Sequence, residues 1–333
     1  MTSCIYRKIR VVFRILHKKE IGMKTLKKIL LGLFVLIVAS LIGGYFYFEK
    51  KFSPPENYLH VSGISEDVPI QWEGDDENPH AALLLPVHIK GIDKPFFMQL
   101  DLGSPVTVFY KNSLESVKTA FSNKIPVISE KGKIALDFSL QDMKVSSDVF
   151  EVLDYGSKID FENPNTRNII GTIGTDLLEK RIITLDFKNS RCSFSKTMEE
   201  SDFSKFEFKK RRILIPAIVG NENLKLMYDS GTSGYELIMN RDKWEKYKAS
   251  DKVKIEKGNS WGKVLTVITA PSDREIRFGS KMLQLSEVTC IEGTSKAQNF
   301  LMKLSGMQGM IGNKLFLNQK IILDCGNQVY KIE

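Results

Sequence analysis

The chain has 333 residues, 48 Lys or Arg against 40 Asp or Glu, and four cysteines. Nine of those basic residues and one acidic residue fall in residues 1–28, so the remaining 305 residues balance to zero charge and offer no basic face for nucleic acid. Four cysteines, one of them Cys4 near the start, exclude a disulfide-framework domain, although a single bridge among Cys192, Cys290 and Cys325 is left open.

Residues 1–28 read as a basic cytoplasmic segment, with Met23-Lys24 as an alternative start and an amphipathic surface helix as an alternative structure for Arg7–Arg14. Residues 29–48 carry no charge and are long enough to span a bilayer. Lys24, Lys27 and Lys28 before them place the N-terminus inside, and Tyr45 and Tyr47 fit an interfacial belt. A cleaved signal peptide is the competing reading. The length of the run and the bulky Tyr45-Phe46-Tyr47-Phe48 after it favour an uncleaved signal anchor. The folded part is then extracytoplasmic, either periplasmic or at the cell surface. Residues 49–80, with Ser53-Pro54-Pro55 and Gly74-Asp75-Asp76, read as a linker that also has the reach to mask a cleft. Val68–Trp72 is a candidate strand within it. From Ala81 onward, short β-branched and aromatic runs alternate with turn residues, which predicts a mainly β body. Helical pieces are expected near Thr175-Asp176, over Arg241–Ala249 and over Ser295–Leu304.

Within that body the sequence repeats itself. Phe96-Phe97-Met98-Gln99-Leu100 leads into Asp101-Leu102-Gly103-Ser104, and Leu224-Lys225-Leu226-Met227-Tyr228 leads into Asp229-Ser230-Gly231-Thr232. Leu84-Leu85-Pro86 precedes the first Asp and Leu214-Ile215-Pro216 the second. Downstream, Gly171-Thr172-Ile173-Gly174 is followed 12 positions later by Asp186. Gly309-Met310-Ile311-Gly312 is followed 12 positions later by Asp324. Three landmarks recurring in one order divide the body into an N-terminal lobe, residues 81–200, and a C-terminal lobe, residues 201–333. Asp186 and Asp324 lie past the paired turns and are read as strand-end hydrogen-bond acceptors.

The two Asp-x-Gly-Ser/Thr turns, each with a later hydrophobic-hydrophobic-Gly, resemble the pepsin/retropepsin-like aspartic peptidases, as a bacterial, membrane-anchored, bilobal form. The resemblance covers about residues 80–333 and implies two pseudo-two-fold-related β-barrel lobes. It implies Asp101 and Asp229 as the catalytic pair. Gly103, Ser104, Ser230, Gly231 and Thr232 would support them, with the Ser104 and Thr232 hydroxyls on the outer carboxylate oxygens. Leu102 departs from the pattern, because the residue after each Asp normally carries a hydroxyl that bonds the opposite turn. Lys131-Gly132, between Ile125–Ile128 and Ile134–Leu136, resembles the substrate-covering hairpin, and Trp261 occupies the matching place in the second half. The implied activity is an aspartic endopeptidase acting on polypeptides, complete in one chain, with no metal or organic cofactor. The competing readings are a catalytically impaired peptide-binding protein of the same fold and an envelope protein with no cleft function. No Cys-x-x-Cys, phosphate loop, Gly-x-Ser-x-Gly or His spacing for a metal is present.

Overall fold

A computed structural model describes residues 27–333 except 29, 51, 52, 123, 164, 165, 200, 261, 262 and 294–305. Most of the basic segment, the helix expected at Ser295–Leu304 and Trp261 therefore lie outside the described residues. The chain divides into two units, residues 1–55 and residues 56–333. In the first, helix α1, Leu30–Lys50, has a mean hydropathy of 2.2 and is long and apolar enough to cross a membrane, a test that a signal sequence also passes.

The second unit is mainly β, with three sheets. Residues 60–73 belong to it. They form β1 (His60–Ser62), β2 (Ser65–Pro69) and β3 (Gln71–Glu73), so the expected linker is shorter than 49–80. Each of the three finds an edge of a larger sheet, which satisfies its backbone groups in a way the polar composition did not announce.

The repeat read from the sequence is a repeat of pairing. In the first half, β5 (Pro95–Leu100) runs parallel to β9 (Ile169–Ile173), with Leu100 opposite Ile173. Strand β6 (Val108–Tyr110) lies antiparallel to β9 and parallel to β8 (Met143–Leu153). In the second half, β15 (Glu222–Tyr228) runs parallel to β22 (Gly309–Ile311), with Tyr228 opposite Ile311. Strand β16 (Leu237–Met239) lies antiparallel to β22 and parallel to β21 (Glu287–Glu292). The glycines ending β9 and β22 are needed for close approach. A Cβ on Gly174 would lie 2.4 Å from the Val106 carbonyl carbon, and one on Gly312 would lie 2.1 Å from the Thr232 oxygen. Each glycine therefore packs against the outgoing limb of its own half's Asp turn.

The halves share a six-stranded sheet. In it β10 (Ile182–Asp186) pairs antiparallel with β23 (Lys320–Asp324), centred on Thr184 opposite Ile322. Past these strands Asp186 accepts from Asn189 N and Asp324 accepts from Asn327 N, the same Asp-x-x-Asn turn twice. The core runs continuously through both halves. It includes Leu83, Leu85, Phe96, Phe109, Ile213, Ile215, Tyr228 and Phe316.

Short helical pieces follow both Gly landmarks, at Thr175–Leu178 and at Asn313–Phe316. Helix α2 is Lys111–Ala120, a polar stretch that buries only Ser113, Leu114 and Val117, and it carries no strong sequence signal. Helix α3, Arg241–Tyr247, starts where the Asn240 side chain accepts from Lys243 N. The expected first-half hairpin across Lys131-Gly132 is absent. Residues 125–128 form no strand, and Ile134–Leu136 belong to β7 (Lys133–Leu140), which pairs with β4 (Ala82–Ile89) and β8. Lys131-Gly132 instead completes a tight turn, with Ser129 N donating to Lys133 O. The second half has a long hairpin, in which β17 (Lys254–Ser260) pairs antiparallel with β18 (Lys263–Pro271).

Candidate functional site

Strands β5 and β15 end at the floor of a cleft of about 1620 Å³, and deliver Asp101 and Asp229 to it. Each Asp then enters a tight turn that folds the next amides back onto its own carboxylate. Gly103 N donates to Asp101 Oδ1 at 2.9 Å and Ser104 N donates to it at 3.1 Å. Gly231 N donates to Asp229 Oδ1 at 2.9 Å.

The two turns face each other. A Cβ on Gly103 would lie 2.4 Å from Asp229 Oδ1, and a Cβ on Gly231 would lie 2.6 Å from Asp101 Oδ1. Each glycine thus leaves the space its opposite carboxylate occupies, and the two carboxyl groups face each other across the turns. Burial pushes both upward in pKa. Asp229 rises further, because the charge of Asp101 adds to burial, whereas the Gly103 amide holds Asp101 back. Two carboxyls so placed cannot both ionise easily, so the pair keeps one proton, and its titration belongs to the pair.

Ser230 crosses between the halves. Its hydroxyl donates to Leu100 O at 2.7 Å and accepts from Leu102 N at 2.8 Å, fully buried. Leu102, also fully buried, has no hydroxyl to return the bond. The other two hydroxyls do not reach the carboxylates. Ser104 Oγ donates to Val106 O and Thr232 Oγ1 donates to Asp229 O, so both brace the turn backbone and leave the carboxylate bonding to amides.

Behind the turns lie two different supports that sequence reasoning missed. Behind Asp229, Tyr228 OH donates to Asn313 Oδ1 (2.7 Å), Asn313 Nδ2 to Ser233 Oγ (2.5 Å), and Ser233 Oγ to Ser230 O (2.9 Å). Behind Asp101, Thr107 donates from N and Oγ1 to the buried Asp176, while Thr175 and Arg211 hold the carbonyls of Ser104 and Pro105. Arg211 sits with Lys210 at the turn between β13 (Glu207–Lys209) and β14 (Arg212–Val219), at φ of +58° and +52°. Such conformations cost non-glycine residues on the order of 1–3 kcal/mol each. The only sequence signal is that β14 repeats β4.

On the second-half side the cleft wall mixes apolar Ile238, Met239, Leu265, Val267 and Met310 with charged Arg241, Asp242, Lys243, Lys257 and Glu292. Tyr110 and Tyr155 stack edge to face on the first-half side. Lys131 and Gly132 do not line the cleft. Hairpin β17–β18 does, through Lys257, Gly258, Leu265 and Val267. Asn78 and Ala81, just ahead of β4, also line it. Asn78 packs against Gly234, and its neighbour Glu77 pairs with Lys254 at 3.1 Å. Cys192, Cys290 and Cys325 are all buried and free, so the bridge left open above does not form among them.

No known protein family matches the sequence. No curated protein matches it either. Among solved structures the chain is similar to the crystal structure of aspartic proteinase from Irpex lacteus. The match has 10% sequence identity and a TM-score of 0.45, and covers 81% of this chain and 97% of that one. That identity is too low to carry residue roles from one chain to the other.

Proposed function

We propose that the folded body is an aspartic endopeptidase that hydrolyses peptide bonds with a water activated between Asp101 and Asp229. The observation that carries the reading is reciprocal: each turn's glycine stands against the opposite carboxylate, so two carboxyls share one proton at the floor of a cleft. In this reaction the charged member of the pair takes a proton from water while the water oxygen attacks the peptide carbonyl carbon. The neutral member gives its proton to the carbonyl oxygen. The tetrahedral diol then collapses: the carboxyl protonated by water gives its proton to the leaving amine as the C–N bond breaks, and the other carboxylate takes a proton from a diol hydroxyl, so the pair again holds one proton. The bonds from Gly103, Ser104 and Gly231 fix the carboxylates before substrate arrives.

The substrate is an extended polypeptide lying across the cleft. Residues 81–200 and 201–333 act as the two lobes, and one chain suffices. In this reading the protein is a bacterial form, anchored through residues 29–48 with its body outside the cytoplasm.

The test incubates the full chain in detergent with a peptide mixture from acidic to neutral pH, beside Asp101→Asn and Asp229→Asn. Cleavage lost in both variants is expected. Cleavage that survives both would remove the mechanism. One observation favours a second reading, a peptide-binding protein with impaired chemistry: Leu102 leaves the cross-turn lock one-sided. Peptide binding by the wild type without turnover at any pH would select it.

A further inference from the structure

The cross-turn lock has one arm, from Ser230, and both of its bonds are supplied by the second half to the first. Arg211 supplies another tie in the same direction. Its guanidinium donates through Nη1 to Pro105 O at 3.2 Å and through Nε to Glu179 Oε1 at 2.7 Å, and the side chain is 5% exposed. Its backbone carbonyl accepts from Thr175 Oγ1 at 2.7 Å, and the same hydroxyl reaches Ser104 O at 3.0 Å. Asn57 Nδ2 closes the cluster from outside, bonding Glu179 Oε2 and Asp176 O. Burial raises the Glu179 carboxyl, but the hydrogen bonds from Arg211 and Asn57 outweigh it and hold it below the usual range.

The placement is unusual on three counts. A buried arginine needs a partner, and this one divides its fork between a carboxylate and a turn carbonyl. It is carried on a two-residue hairpin turn with both residues in the left-handed region, where Asn-Gly would be relaxed. The carbonyl it holds belongs to Pro105, which follows Ser104 in the turn that presents Asp101. Among the described residues no cation from the first half reaches the Asp229 turn in return. Strain of this kind persists where surrounding contacts fix it, and here those contacts converge on the limb that leaves Asp101.

We infer that Arg211 is a positioning residue for Asp101, a cross-half tie that stands in for the hydroxyl missing at Leu102. Arg211 touches neither substrate nor the reacting carboxyls. Its guanidinium holds the Pro105 carbonyl and its backbone carbonyl accepts from Thr175, which bonds the Ser104 carbonyl, so that the amides of Gly103 and Ser104 stay aimed at Asp101 Oδ1. The inference rests on the proposed peptidase reading for its catalytic part and on geometry alone for its positioning part.

The experiment uses the full chain in detergent and compares wild type, Arg211→Gln, Arg211→Lys, Leu102→Thr and Leu102→Thr with Arg211→Gln. Turnover is measured as kcat and KM on one peptide, and amide hydrogen exchange is read at residues 102–104. Arg211→Gln is expected to lower kcat about 10–100-fold with KM changed less than threefold, since a displacement near 1 Å costs about that much. Exchange at 102–104 should quicken at least tenfold while the core strands keep their protection. Lysine keeps the charge but not the fork, so Arg211→Lys should restore less than half of the loss on a logarithmic scale. With threonine at 102 returning the second arm, Arg211→Gln should cost less than a third of its wild-type factor. Unchanged kcat with unchanged exchange at 102–104, or equal cost in both backgrounds, would overturn the inference. Should the wild type not cleave peptide, the exchange measurements alone decide. Faster exchange at 102–104 in Arg211→Gln, suppressed by Leu102→Thr, keeps the positioning role while the peptidase reading falls.

Discussion

The turn that carries Asp101 and the turn that carries Asp229 each fold the amide two residues on back to the carboxylate, but they are held by unlike means. The Asp229 turn rests on a neutral chain inside its own half, from Tyr228 through Asn313 and Ser233 to the Ser230 carbonyl. The Asp101 turn rests on ionisable groups, Asp176, Arg211 and Glu179, and one of these is contributed by the other half. A site that needs two carboxylates at one spacing needs the same geometry on both sides, not the same residues behind it. The supports are free to differ as long as the amides near each Asp stay in place.

The largest effect should come from removing a carboxylate. Asp101→Asn or Asp229→Asn should each cost at least about 10²–10⁴-fold in kcat, and nearly equal losses are expected because the pair acts as one unit. A large inequality would mean that the two turns differ in chemistry and not only in support. Next comes steric intrusion. A methyl at Gly103 or Gly231 meets the opposite carboxylate, so Gly103→Ala and Gly231→Ala should each lower kcat about 100-fold and reduce thermal stability. Loss from only one of them would break the reciprocity.

A smaller effect separates the two arms of the lock. Ser230→Ala should lower stability by about 0.5–1.5 kcal/mol, and Leu102→Thr should raise kcat by no more than about tenfold. Denaturant midpoints and initial rates read these directly. A fall in kcat for Leu102→Thr would show that burial of the leucine matters more than the missing bond.

The gentlest probe is pH. Both carboxyls are raised in the folded state, so it holds more protons than the unfolded chain above the ordinary Asp range. Stability from this pair is therefore present at acid pH and falls as pH rises through the folded values. Thermal midpoints of Asp229→Asn should decline less between acidic and neutral pH than those of wild type. Parallel curves would contradict a shared buried proton.

The Asp turns and Gly landmarks are legible because each occurs twice in the sequence, and a spacing of 12 recurring after two glycine pairs is hard to produce by accident. Their close packing also needs glycine specifically, which leaves a mark in sequence. The supports left no such mark. Lys209-Lys210-Arg211-Arg212 reads as a solvated basic run, and only the tertiary fold buries one of its four members. The turn there lacks the Asn-Gly signature because contacts elsewhere hold it. Lys131-Gly132 looked like a hairpin turn on local chemistry. Pairing of β7 with β4 and β8 took its downstream arm, and the upstream arm had no strand to join. The hydroxyls of Ser104 and Thr232 were assigned to carboxylates, but nearby carbonyls lie within easier reach.

The pairing of Thr184 with Ile322 has a consequence for how the chain is made. The sheet shared by the halves takes β2 from the beginning of the body and β24 (Val329–Ile332) from its end. Contacts at such sequence separation form slowly, because a long loop must close before they are rewarded. Until β23 is synthesised, β10 lacks that neighbour, and its open edge is a template for the wrong partner. Whatever shields the edge of β10 until β23 arrives would raise the yield of folded protein without touching the cleft.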